Sequence, residues 1–144
     1  MLRISLFLAI LATMTSIPAY SQIARVKASA GNAAVQRGKD RLPATPGQQL
    51  LAGDRLVTGK DGRISATFID NTRFSVGPDS NVSVSQFDYD RTSERGTFVT
   101  QIDRGSLAVV SGKIAKSGKD SMKVRTPNSL LGVRGTRFIV EVPR

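Results

Sequence analysis

The sequence contains no cysteine and no histidine among its 144 residues. Without cysteine there is no disulfide and no thiolate to act as nucleophile or metal ligand. Without histidine the commonest general base and zinc ligand is missing too. Tryptophan is also absent, and aromatic residues make up only 6% of the chain, which leaves little for a nucleic-acid surface built on exposed rings. Long apolar runs are equally scarce: beyond residue 14 none approaches bilayer-spanning length. Stability must therefore come from packing and backbone pairing.

What is present begins with an export pattern. Arg3 gives a positive start, residues 4–14 form an apolar run, and Ala19-Tyr20-Ser21 offers small residues at a cleavage site. The run is short for a membrane span, and no basic stop-transfer cluster follows it. No cysteine follows it either, which excludes a lipoprotein anchor. The expectation is a signal peptide over 1–21, cleaved after Ser21, and a periplasmic or secreted domain over 22–144 that starts at Gln22. That length suits one domain with one core.

Charge is unevenly spread. The whole chain carries +10. Residues 104–144 hold nine basic side chains against Asp120 and Glu141, a segment charge of +7, while residues 22–103 contribute +2. Such asymmetry predicts an electropositive region and attraction to anionic partners. Lys113, Lys116, Lys119, Lys123 and Arg125 are its candidate anion-binding residues.

Apolar alternation predicts an all-β single domain. Strands are expected over 23–30 and 33–37, with an irregular connector around Pro43 and Pro46. Ile64, Ala66 and Phe68 share a face before a turn at Asp70-Asn71; Phe74 and Val76, then Val82 and Val84, follow. Phe98, Thr100 and Ile102 make another strand, and "DRG" separates it from Leu107 and Val109. Met122 and Val124 continue the pattern. Phe138, Val140 and Val142 alternate with Arg137, Ile139 and Glu141 in the last strand. The strands are short, either antiparallel or stacked as coils, and a β-roll or partial β-helix is favoured over a sandwich. Residues 113–119 read as a solvated basic loop in preference to a helical turn, because Gly112 and Gly118 oppose helix.

Catalytic alternatives are few. A small hydrolase would need a Ser-Lys dyad, Ser111 or Ser117 with Lys113 or Lys116, or the paired Asp88 and Asp90. Polar-loop roles are favoured for the serines and lysines. For Asp88 and Asp90, flanking Tyr89 and pairing with Arg91 is favoured over calcium ligation or acid/base work. The expectation is no catalytic residue, no metal and no cofactor. Nucleic acid is not expected as a partner, because Phe68, Phe74, Phe98 and Phe138 fall on buried phases; only Phe87 and Tyr89 remain as exposed rings. An anionic polymer or lipid surface stays open as an alternative partner.

The run "VRTPNSLLGVRGTRFIVEV" resembles the closing motif of FecR-type domains, through Thr126, Pro127, Gly132, Val133, Arg134, Gly135, Thr136 and Phe138. "LLAGDRLVTGKDGRISATFIDNTRFSVGPDSNVSV" is similar to the family's opening half, and "RGSLAVVSGKIAK" to its middle. The resemblance implies an extracytoplasmic all-β sensing or binding module that engages a protein or envelope component in signalling. In the family's namesake this domain relays a transporter signal through a membrane helix to a sigma-factor regulator. Here an export segment stands where that helix would be, so the relay is not carried over. Many relatives continue into further strands where this sequence ends at Arg144. Strand 136–142, or its neighbour, is therefore expected to keep an unpaired edge open to strand addition.

Within the motif, Pro127 is expected to keep Thr126 extended. Gly132 and Gly135 are expected to turn the chain, and Thr136 to start the last strand. Arg134 is expected to lock the corner by pairing with Asp54 or Asp103, in preference to presenting its guanidinium to an anion.

Overall fold

The computed structural model describes residues 20–135 and 137–143. The expected export segment up to residue 19, together with Thr136 and Arg144, lies outside the described residues.

Alternation over the described residues produces the all-β domain expected of the sequence. The strands are β1 (Ala24–Ala30), β2 (Ala33–Arg37), β3 (Asp40–Pro43), β4 (Gln49–Leu50), β5 (Arg55–Thr58) and β6 (Arg63–Phe68). They continue as β7 (Arg73–Val76), β8 (Asn81–Asp90), β9 (Arg95–Val110), β10 (Met122–Arg125), β11 (Leu130–Val133) and β12 (Arg137–Val142). One short helix, α1 (Lys113–Ser117), joins β9 to β10. The strands form a single curled sheet in the order β3-β2-β5-β8-β9-β7-β6-β1-β4, with β10 and β12 also on β9 and β11 on β10. Pairing is antiparallel except between β10 and β9, which meets the antiparallel alternative and not the coil-stacked one favoured as a β-roll or partial β-helix.

β9 organises the whole. Its residues 95–104 pair with β8, and 105–110 pair with β7 and β12. Phe98, Thr100 and Ile102 point inward, and so do Leu107 and Val109. The five-residue step from Ile102 to Leu107 breaks the period of two, and a register shift opposite Asn81 and Val82 absorbs it. Gly105 sits there at φ 91°, where a Cβ would run into Ser80. "DRG" is thus a bulge inside one long strand, where a break between two was expected. The two halves of the sheet then face each other across the core.

Four phenylalanines fill that core from both halves. Phe68 lies 4.6 Å from Phe74 and 4.7 Å from Phe98, and Phe87 lies 4.9 Å from Phe98. Full burial of each such ring contributes roughly 1.5–3 kcal/mol. Phe87, expected as an exposed ring, is buried and stacked on Phe68 at 5.6 Å.

Two local expectations are corrected. Residues 40–43 form an edge strand against β2, which tolerates Pro43 because an edge position need not donate its N–H. Residues 113–117 form a helical turn instead of a loop, with Gly112 and Gly118 flanking it. The cause is a distant cap. The Ile114 N–H donates to the buried Asp70 carboxylate at 3.2 Å, the Lys113 N–H to the Asp70 carbonyl at 2.9 Å, and the Gly112 N–H to Thr72 Oγ1 at 3.1 Å. Burial of Ile114 and Ala115 holds the turn down.

Candidate functional site

Among the described residues, the C-terminal motif runs from the β10–β11 connection through β11 to the start of β12, the expected corner. β10 and β11 form a hairpin whose connection is closed by the Thr126 N–H donating to the Ser129 carbonyl at 2.9 Å. Thr126 Oγ1 accepts the Asn128 N–H at 3.3 Å, and Pro127 is exposed at the tip. Gly132 lies inside β11 opposite Lys123, so it is a strand residue and not the expected turn. Val133 is buried against the core opposite Met122. Gly135 does turn the chain: its φ is 94°, and the Lys116 stem packs where a Cβ would be.

β12 then runs antiparallel to β9, Arg137 opposite Val110 and Val142 opposite Gly105. Its other edge has no strand partner among the described residues. Val140 is buried, Phe138 and Val142 pack half-buried on the core, and Ile139 is 69% exposed. Ile139 borders two depressions. One, of about 370 Å³, runs to Leu131 and the Thr126–Ser129 turn. The other, of about 490 Å³, lies on the outer sheet face between Arg73 and Arg137, over Ala108 and Val110.

Arg134 is exposed at this corner, and the carboxylates expected to lock it are engaged elsewhere. Asp54 is held by Arg37 and by the Leu51 N–H at 2.8 Å. Asp103 is held by Arg55 at 2.7 Å and by Gln101. The hydrogen bond to Asp54 raises the pKa of Arg37 above its ordinary value. The lock joins β2 to the start of β5 and leaves the motif corner out.

The five candidate anion-binding residues lie on α1, just after it and on β10. Lys113 is paired with Glu94 at 2.6 Å, which raises its pKa. Lys116 and Lys119 are exposed on and after α1, while Lys123 and Arg125 take outward positions on β10. A different set lines up. Arg25, Thr67, Arg73, Val110 and Arg137 occupy one register row across β1, β6, β7, β9 and β12. All three arginines are exposed. Alternation already marked their positions as outward; only the strand order reveals the row.

Residues of the hydrolase alternative have other engagements. Ser117 donates its hydroxyl to the Ile114 carbonyl at 2.7 Å, and Ser111 is buried. Asp88 accepts from Gln86 at 3.1 Å. Asp90 accepts the Thr92 N–H at 2.8 Å in the turn after β8, a role it takes instead of pairing with Arg91, and this bond lowers its pKa.

No described helix is long and apolar enough to cross a membrane. No curated protein and no solved structure matches the chain. The family model described as FecR protein matches residues 54–144, from the Asp54 anchor through β12. Strands β1–β4 precede the match yet pair within the same sheet. The match spans more than half of the sequence, and the chain belongs to the FecR family.

Proposed function

We propose that this FecR-family protein is an exported, non-enzymatic sensing module that engages a protein partner in signalling by adding a partner strand to β12. Membership of a signalling family supports the sensing role. The observation that carries the edge assignment is that β12 is paired with β9 on one side only among the described residues. An edge of this kind offers unpaired N–H and C=O groups, and exposed side chains beside it supply selectivity. Ile139 and the depression reaching Leu131 are such side-chain sites. Export rests on the N-terminal pattern of Arg3, the apolar run and Ala19-Tyr20-Ser21.

The test combines two measurements. In dilute monomer, alternate β12 amides exchange quickly with solvent. A photo-crosslinker at Glu141, introduced in cells, captures a defined protein that the same crosslinker at Lys39 does not. Full protection of β12 in the free monomer, or identical adducts from both positions, would falsify the edge assignment.

A further inference from the structure

The outer face of the β1-β6-β7-β9-β12 half is a basic plane, distinct from the strand edge discussed above. Arg25, Arg73 and Arg137 repeat every second strand along one row. With neighbouring strands about 4.8 Å apart, successive arginines stand about 10 Å from each other and the row spans about 19 Å. Lys27 and Arg63 take outward, exposed positions on the same half. Its outward positions on β12 include one carboxylate, Glu141, two register steps beyond Ile139. The next row, Ser65, Ser75, Ala108 and Ile139, is small except at its end. That produces the 490 Å³ depression flanked by Arg73 and Arg137, with Ile139 on its rim.

We infer that this face docks on the surface of an anionic phospholipid bilayer, with Arg25, Arg73 and Arg137 against phosphate groups and Ile139 entering the headgroup layer. The charge pattern selects an anionic partner, since guanidinium forks suit phosphate oxygens. The apolar component selects lipid over a soluble polyanion. Ile139 is 69% exposed beside the arginines, and Leu131 shares its second depression. A phosphate chain in water leaves these side chains solvated. A membrane interface takes cations and apolar groups together. Ile139 borders both this face and the β12 edge, whereas the arginine row belongs to the face alone, so the double arginine variant tests docking independently of strand addition.

The test uses the purified mature chain with vesicles of phosphatidylcholine alone and with about one-third phosphatidylglycerol. Binding is expected only to the anionic vesicles, falling as salt rises. Each basic residue at an anionic surface contributes about a fivefold factor, so Arg73→Gln with Arg137→Gln lowers partition on the order of twentyfold. Ile139→Ser weakens vesicle binding severalfold and leaves binding to soluble polyphosphate unchanged. Unaltered melting temperatures for these surface variants keep the comparison clean. Equal partition onto phosphatidylcholine, or unchanged binding of the double arginine variant, overturns the proposal. So does full competition by polyphosphate with no effect of Ile139→Ser, which reassigns the face to a soluble polyanion.

Discussion

Arg37 grips Asp54 at two points, Nε to Oδ1 at 2.8 Å and Nη2 to Oδ2 at 2.7 Å. Asp54 is 2% exposed, whereas the Arg37 side chain is 37% exposed. A charge buried on one side and hydrated on the other makes the pair asymmetric. Removing the arginine strands a carboxylate in the interior. Arg37→Ala is therefore expected to cost about 2 kcal/mol, below the fully buried case because Arg37 is partly hydrated. Urea denaturation measures it, and a loss below about 0.5 kcal/mol would show that the grip is incidental.

Asp70 gives a second stability test. Its carboxylate is fully buried and accepts from the Thr72 N–H, the Thr72 hydroxyl and the Ile114 N–H. Asp70→Ala leaves two backbone donors unpaired, at about 1–3 kcal/mol for each orphaned group. Melting temperature should fall steeply, with α1 losing amide protection before the strands do.

Phe98 touches Phe68, Phe74 and Phe87 from the centre of β9. Phe98→Ala is expected to cost about 4 kcal/mol through lost burial and the cavity left behind. Phe98→Leu should recover most of that in the same denaturation assay.

Gly105 combines a φ of 91° with close approach to Ser80. Ser80 Oγ accepts the Ser106 N–H at 2.9 Å and donates to the Pro78 carbonyl at 3.0 Å, so it has little room to move. Gly105→Ala should destabilise by about 2 kcal/mol or more. Ser80→Gly in the same chain removes the side-chain clash but leaves the residue 80 Cα in the way and the backbone strain in place, so thermal melting should show only partial rescue.

Asp90 provides a titration check. Backbone donors from Thr92 and Ser93 lower its pKa from the ordinary 3.8. A depressed carboxylate contributes stability above its unfolded pKa and loses it as pH falls through the folded value. The stabilisation of this turn is thus complete above about pH 4 and disappears below it. Carboxyl-carbon NMR of Asp90 should place its midpoint under 3.8; a midpoint at or above that value would contradict the turn geometry.

Burial alternation made most of the strands legible beforehand. Ile64, Ala66, Phe68, Phe74, Val76, Val140 and their neighbours all face inward as the period of two requires. What stayed hidden depends on residues far apart in the chain. The helical turn at Lys113–Ser117 is decided by Asp70, 44 residues away from Ile114. The partners of Asp54 and Asp103 come from β2 and β5, not from the motif corner where Arg134 sits. Arg25, Arg73 and Arg137 align only once β6 and β9 are placed between the strands that carry them. Pro43 hid β3 for a simpler reason, since proline argues against a strand everywhere except at an edge.

The continuity of β9 gives the domain a single mechanical spine. Tension applied to β12 loads residues 105–110, and the same backbone delivers it past Gly105 to the segment that carries β8 and β10. A partner pulling on the C-terminal strand would thus tug on both halves of the sheet at once.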